Sequence, residues 1–419
     1  MAAAKRSTAA AAKRSGRFDV IVVGGGPAGT SAAYAAASAG ANVILLEKES
    51  SIAETVRTSG VTWMDEITEF GIPSECYNPI RNFSFQSPGN IVSISGGKAA
   101  AAVLDVRATY RWLASKAECA GAHIMTGTTA TEIVRGEGGR ISGVRASNTK
   151  NADGAEYRAS VVIDASGFPS AVCRAAGLGW QWKRFGAGAE YEAEAEHVDP
   201  HTWWLMVGQR YSPAGYAWIF PVGGNTVRIG VGVGKPESSA DPTQILKRLV
   251  ADREGPIADL GKIKITESHY GLIPNDGLSR ETVHDGLILV GDSAGQANPL
   301  VLEGIRYAIR FGRMAGSTAA QAAMAGRTSK TDLCPYEKGW RQAIESRVRM
   351  AGRVQDRWIG LSDDEWDKEL DIIRRMTPQE FVTFVKAEFG MLDMARMAAR
   401  HPGTAAKQLF GLVGNRFRR

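Results

Sequence analysis

Asp19-Val20-Ile21-Val22-Val23-Gly24-Gly25-Gly26-Pro27-Ala28-Gly29 is the stretch whose reading decides the fold. Residues 20–23 are a short apolar run, the mark of a strand buried on both faces. The run ends in Gly24-x-Gly26-x-x-Gly29, and residues 30–40, rich in alanine, read as a helix. Residues 42–46 then read as a second strand. Strand, glycine turn, helix and strand at this spacing make one Rossmann-like unit. In that context the first glycine permits the tight turn and the second lets the backbone approach a pyrophosphate. The third lets helix and strand pack closely. The helix N-terminus offers unpaired N–H groups and a partial positive charge to the phosphates. Glu47 closes the second strand, 18 residues after Gly29. A carboxylate there accepts hydrogen bonds from ribose hydroxyls, so an adenosine with a free 2′-OH fits.

Outward from this unit, residues 51–80 read as a loop and a short helix over 64–70. Residues 81–100 alternate polar and apolar and read as strands leaving the first domain. Residues 110–120 have helical spacing, and 122–126, 129–135, 141–146 and 161–163 read as strands. Residues 180–235 change texture: Trp180, Trp182, Trp203, Trp204 and Trp218 are five of the ten tryptophans. Alternation through 190–196 and 227–233 predicts an antiparallel sheet with one buried face. Residues 286–292 repeat the strand-to-glycine pattern, and the chain reads as mostly helical from about Gly304 onward. The expected fold class is α/β. A Rossmann-like nucleotide-binding domain (18–80, 101–179 and 271–325) carries an antiparallel β-sheet substrate domain (81–100 and 180–270). A helical C-terminal region (326–419) and a basic disordered tail (1–17) complete it.

Composition narrows the function. The hydrophobic fraction of 44% and charged fraction of 22% are those of an ordinary globular chain and exclude a collagenous or disordered one. The formal charge of +6 is uneven: residues 1–17 contribute +5 and residues 401–419 contribute +4, which leaves −3 for the body between them. A nucleic-acid-binding body is not expected on that balance. Cys76, Cys119, Cys173 and Cys334 are scattered and fit neither a zinc site nor a disulfide framework, so a reducing, cytoplasmic setting and no metal are expected. Cys119 and Cys173 read as small buried hydrophobes. His197 and His201 are four apart, but Pro200 interrupts any helix that would pair them. His269 falls in an expected strand and reads as a packed or surface residue.

Two further motifs follow strands. Gly291-Asp292-Ser293-Ala294-Gly295 places an acid where it can bind polyol or ribityl hydroxyls. The same residues spell the G-x-S-x-G of a serine hydrolase, but only His401 follows them as a partner base. Asp164-Ala165-Ser166-Gly167 reads as a strand-end turn and helix start.

Together these residues resemble the flavoprotein superfamily of p-hydroxybenzoate hydroxylase fold. Gly24–Gly29 with Glu47, the Asp164 turn, Gly291-Asp292 and Asp105-Val106-Arg107 resemble its motifs for FAD. Within it, Pro213-x-x-Tyr216-x-Trp218-x-Phe220-Pro221, with Asn298-Pro299 and Glu303-Gly304-Ile305, resembles the geranylgeranyl reductase family over residues 18–340. The resemblance implies FAD as cofactor. It implies contacts from Gly24, Gly26, Ala28, Gly29, Glu47, Arg57, Thr58, Ser59, Arg107, Ala130, Asp164, Asp292, Gly304 and Ile305. It implies saturation of isoprenoid double bonds in lipid biosynthesis, with Tyr216, Trp218 and Phe220 at the substrate. By residue type Tyr216, a phenol in an aromatic motif, is the candidate proton donor; the other reading is that Tyr216, Trp218 and Phe220 alternate on one strand face and pack the core. Partners would be an isoprenoid lipid or prenyl diphosphate and an external electron donor (NADPH, ferredoxin or quinol). Residues 407–419 mix Leu, Val and Phe with Lys and Arg, and read either as a helix lying on anionic membrane or as a frayed docking helix. Two departures stand out: Thr58 where the family often has cysteine, and Leu302 where glycine is common. The rival readings are a flavin monooxygenase or halogenase on the same fold, and a membrane-associated FAD-binding protein without catalysis.

Overall fold

The computed structural model describes residues 17–148, 151–179, 182–278, 280–390 and 393. The opening unit is β1 (Phe18–Val23), α1 (Pro27–Ser38) and β2 (Val43–Leu46). Then come β3 (Val61–Trp63), α2 (Met64–Phe70), β4 (Tyr77–Ile80) and the hairpin β5 (Asn82–Gln86) and β6 (Ile91–Ser95). β7 (Ala101–Leu104) leads into α3 (Val106–Cys119), whose first turn is capped by the Asp105 side chain accepting the Ala108 N–H. β8 (His123–Met125), β9 (Thr128–Arg135), β10 (Ile141–Asn148), β11 (Asn151–Asp164) and α4 (Ala171–Ala175) follow. Next are β12 (Phe185–Ala195), β13 (Thr202–Val207), β14 (Gly215–Gly223), β15 (Thr226–Lys235), α5 (Pro242–Ala251) and β16 (Ile263–Pro274). β17 (Val283–His284) and β18 (Leu287–Leu289) precede α6 (Ile305–Met324), α7 (Lys330–Ile359), α8 (Asp363–Ile373) and α9 (Pro378–Val385).

The first sheet runs β17-β18-β11-β1-β2-β8, parallel from β18 through β8, with β9 and β10 extending β11 antiparallel. Helix α1 packs between this sheet and α6. Its buried residues are all small (Ala28, Gly29, Thr30, Ser31, Ala32, Ala33, Ala36 and Ala37), so it has no apolar stripe and is buried on two sides instead. Contact with α6 is close: a Cβ on Gly312 would fall 2.4 Å from the Ala28 carbonyl oxygen, and one on Gly316 would fall 2.1 Å from that of Ala32.

The second sheet runs β16-β12-β15-β14-β13-β5-β6. It is antiparallel except where β5 lies parallel to β13, with Phe83 opposite Trp203. No hairpin joins those two strands, so chain direction is not forced there. One face packs under α5 through Ile229, Val231, Leu246 and Leu249. The other carries Trp203, Trp218 and Phe220 and is covered in part by Trp366, Leu370, Phe381 and Phe384 of α8 and α9. Helix α7 spans both bodies: Leu333, Tyr336 and Trp340 enter the first core, and Ala351 and Val354 the second. A third, small sheet orders β3-β7-β4 between them. Among the described residues no helix is long and apolar enough to cross a membrane. Residues 1–16 and 401–419, with their basic charge, and Trp180 lie outside the described residues.

Candidate active site

The glycine turn after β1 is built as its sequence requires. Gly24 has φ +108°, and a Cβ there would meet the Ala165 carbonyl at 2.3 Å. A Cβ on Gly29 would fall 1.9 Å from the Gly24 carbonyl oxygen, whereas one on Gly26 would meet nothing within 4 Å. Gly29 is therefore a packing glycine, and Gly26 borders open space at the N-terminus of α1. The Glu47 carboxylate faces the same space, accepting the N–H of Gly25 at 2.5 Å and of Glu49 at 2.8 Å.

This space opens into a cleft between the first and second sheets. Its outer part, about 1470 Å³ with its mouth, is lined by Gly24, Gly26, Glu47, Arg57 and Thr58. Its inner part, about 1160 Å³ with the open solvent it reaches, is lined by Ala28, Ser59, Tyr110, Asp292, Gly304 and Ile305 on one side. Across from them stand Gly188, Glu190, Tyr216, Trp218, Gly232 and His269 of the second sheet. Arg57, Thr58, Tyr110 and Asp292 border both parts, so the two are continuous. The Trp218 indole lies across its neighbouring strand, where a Cβ on Gly230 would come within 2.2 Å of the ring.

A smaller, aromatic-lined chamber with Glu303 in its wall lies behind the inner cleft. Trp63, Trp203, Phe220, Val301 and Val385 line it, and it shares Thr58, Ser59, Tyr216, Leu302, Gly304 and Ile305 with the cleft. Leu302 stands between the two in a left-handed conformation, φ +48°, that a leucine rarely adopts.

Electrostatics separate the polar groups by role. Burial pushes the Asp292 carboxyl up to about 6, and no cation or donor among the described residues offsets it. Asp292 lies beside Gly304 at the N-terminus of α6. Asp164 is also raised by burial, but its partners are internal. It accepts from Ser166 N–H and O–H, Cys173 N–H and Ser293 O–H, and so ties the two strand-end turns together from behind the cleft. Ser293 is fully buried and donates to Asp164 and to the Gly167 carbonyl, so it presents no nucleophile and the serine-hydrolase reading fails. Arg107 pairs with Glu267, and Ala130 packs beside β10; neither lines the cleft. No cluster that could hold a metal occurs among the described residues.

Tyr216 lines the inner cleft, but its hydroxyl donates to the Val301 carbonyl at 2.6 Å. Burial and the nearby Glu303 push its pKa far above the ordinary tyrosine value. Trp218 Nε1 donates to Glu190 Oε2 at 2.8 Å. Phe220 reaches only the smaller chamber, and Trp204 packs on the opposite face with the α5 core. Cys173 is buried, but Cys119 is exposed and corrects the expectation of a buried thiol. The buried side of α3 carries Thr109, Leu113 and Ala117, and Cys119 sits about 200° further round the helix than Ala117. Glu190, Tyr110 and the glycines of β12, β15 and β16 were not singled out from sequence. For Glu190 and the glycines the only signal is alternation in strands whose pairing the sequence does not print, and for Tyr110 it is helical spacing in α3.

With this geometry in place, similarity to known proteins is informative. The chain matches the family described as FAD dependent oxidoreductase over residues 19–234. It is 32% identical to digeranylgeranylglycerophospholipid reductase 2 of Methanothermobacter thermautotrophicus, covering 78% of this chain and 84% of that one. It is 33% identical to digeranylgeranylglycerophospholipid reductase 1 of Methanopyrus kandleri, covering 76% of this chain and 84% of that one. A geranylgeranyl bacteriochlorophyll reductase-like protein from Thermoplasma acidophilum superposes with a TM-score of 0.83 at 25% identity, over 94% of this chain and 99% of that one. A flavin-dependent brominase shares the fold at a TM-score of 0.66 and 17% identity, over 89% of this chain and 94% of that one.

Proposed function

The chain belongs to the digeranylgeranylglycerophospholipid reductase family of FAD-dependent oxidoreductases, and on that premise we propose that it saturates carbon–carbon double bonds in the isoprenoid chains of lipids or prenyl diphosphates. The observation that carries the reading is continuity. A dinucleotide cradle at Gly24, Gly26 and Glu47 runs without a break into a cleft walled by Tyr216 and Trp218, with an aromatic-lined chamber behind it.

The residues present fit FAD. Open space at Gly26 and the N-terminus of α1 suit the pyrophosphate, and Glu47 suits the adenosine ribose. Asp292 has unmet acceptor capacity for the ribityl hydroxyls, and Gly304 with Ile305 sets a helix N-terminus beside it. Arg57, Thr58 and Ser59 border the same space. Gly29 and Asp164 support the cradle by packing, and Arg107 and Ala130 enter only through the resemblance. Bound there, reduced FAD supplies the hydride that an unactivated alkene requires.

The rest falls to the chain. The second sheet holds an apolar chain against the cleft floor, excludes water and fixes which double bond is presented. An aromatic side chain such as Trp218 or Trp203 buries ~150–250 Å² of surface and suits an isoprenoid rather than a polar partner. A soluble or membrane-borne reductant is required, and NADPH, a ferredoxin or a quinol each meets that need.

The test is to purify the protein, record its flavin spectrum, reduce it anaerobically and add geranylgeranyl lipids. A gain of two mass units per double bond supports the proposal. Oxygen or halide incorporation into the product on admitting air and halide would replace it with the monooxygenase or halogenase reading.

A further inference from the structure

Saturating a double bond needs a proton as well as a hydride, and Tyr216 is badly placed to give one because its hydroxyl is already committed to Val301. A different group lines the same inner cleft. His269 on β16 is 4% exposed, and its Nδ1 lies 3.0 Å from Glu190 Oε1 on the neighbouring β12. Glu190 is equally buried, and its other oxygen accepts the Trp218 indole N–H. An ionised carboxylate only accepts, so Nδ1 carries a hydrogen and the ring orientation is fixed. The other nitrogen, Nε2, is buried and has no hydrogen-bond partner among the described residues; Glu267 Oε2 lies 3.4 Å away, outside hydrogen-bond geometry.

The surroundings favour a cation at this ring. Glu190 and Glu192 of β12 and Glu267 of β16 face Arg228 of β15 and Arg107 of α3, with Arg228 bonded to Glu192 at 2.9 Å and Arg107 paired to Glu267. Three carboxylates against two guanidiniums leave one negative charge, which an imidazolium neutralises. Burial opposes that charge most strongly and Arg228 adds to the opposition, but Glu190 and Glu267 together outweigh them, and the His269 pKa lies above its ordinary value.

We propose that His269, oriented by Glu190, is the residue that delivers the proton to the alkene carbon not receiving hydride. This rests on the reductase reading and adds the missing participant to it. The balance is complete. The π bond breaks and two C–H bonds form, one with the hydride of reduced FAD and one with the proton on Nε2. The Nε2–H bond breaks, the ring becomes neutral, FAD is left oxidised, and water restores the proton before the external donor restores the electrons. Glu190 is a positioning residue in this scheme, since it acts through the imidazole.

Three measurements test the proposal together. In anaerobic single turnovers, H269Q slows flavin reoxidation by substrate by about 10²–10⁴-fold, the usual contribution of a positioned acid. Its substrate KM and FAD content stay within a few-fold of the parent. E190Q falls less in rate, and its pH profile for turnover moves to lower pH. Independently of substrate, ring-nitrogen NMR of the FAD-loaded protein shows a His269 pKa above that of a free histidine, and lower in E190Q. Parent-like turnover and pH profile in H269Q overturn the proposal. Should H269Q not fold, a low wild-type His269 pKa, or one that E190Q leaves unmoved, overturns it instead. If the parent itself saturates no isoprenoid bond, the reductase reading has failed, a result separate from any difference between parent and variants.

Discussion

Two glycines of one motif, Gly26 and Gly29, are expected to fail in opposite ways when changed to alanine. At Gly26 the backbone φ is −72° and a Cβ would meet nothing within 4 Å. Alanine is a poorer N-cap than glycine, a loss of roughly 1 kcal/mol, and it stiffens the unfolded chain, a gain of about 0.4–1 kcal/mol. Those terms nearly cancel, so apo stability should hold. The added methyl, however, occupies the space a pyrophosphate must enter. A loss of about 1.4–3 kcal/mol in FAD binding is the expected order, or about tenfold to a hundredfold in Kd. At Gly29 the sign reverses. Alanine gains roughly 1 kcal/mol of helix propensity, but its Cβ would sit 1.9 Å from the Gly24 carbonyl oxygen and 3.2 Å from the Ala165 methyl. The helix cannot retreat, because Ala28 and Ala32 already touch α6 at Gly312 and Gly316. Overpacking of about 1–3 kcal/mol or more therefore wins, and the apoprotein is destabilised. Urea unfolding of both apo variants and FAD titration by flavin fluorescence separate the cases. If G26A loses stability while binding FAD normally, or G29A is as stable as the parent, the assignment of packing and approach to these glycines is wrong.

Other perturbations follow from the same geometry. Asp292 holds its proton up to about pH 6 when folded and buried, against an ordinary 3.8, so the stability it lends apoprotein is full below the lower value and lost as pH rises through the higher. D292N apoprotein should gain on the parent in urea unfolding at pH 7.5 and not at pH 3.5, while its FAD affinity falls. Arg306 is 1% exposed and bonds the buried Glu303 at 2.7 Å, so R306M leaves that carboxylate uncompensated and should cost about 3–5 kcal/mol in the same assay. Replacing Leu302 by glycine relaxes a strained φ and joins the cleft to the Trp63–Trp203 chamber. Bulkier apolar probes should bind L302G more tightly than the parent, as read by tryptophan quenching. Among the four cysteines, Cys119 should react first with a thiol reagent on the native protein, while Cys76 and Cys173 wait for unfolding.

The nucleotide unit was legible because local rules and tertiary structure agree there. Residues 18–46 carry strand, turn, helix and strand signals in the order the sheet uses, and Glu47 lies where the second strand ends. The Tyr216–Phe220 strand was legible as an alternating face, but alternation does not say which polar atom that face meets. The Tyr216 hydroxyl reaches Val301, 85 positions away, and Trp218 meets Glu190, 28 positions away. Asp164 shows a related gap: a strand-end acid can face a ligand or brace a neighbouring turn, and only the position of Ser293, 129 residues on, decides for the brace. His269 was read as unremarkable for the same reason. Its meaning depends on register, and the pairing of β12 with β16 that sets Glu190 opposite it leaves no trace in either segment. Helix periodicity misled least, and Cys119 was misjudged by residue type rather than by its angle on α3.

The most direct measurement of the central claim is an anaerobic single turnover with a defined geranylgeranyl lipid in excess over reduced, FAD-loaded protein. Flavin absorbance and product mass are followed in the same samples. Saturation of isoprenoid bonds by this cleft requires one double bond reduced for every flavin reoxidised, with no oxygen present. Reduced flavin that stays reduced beside bound lipid, or reoxidation without a matching gain of two mass units, would contradict it.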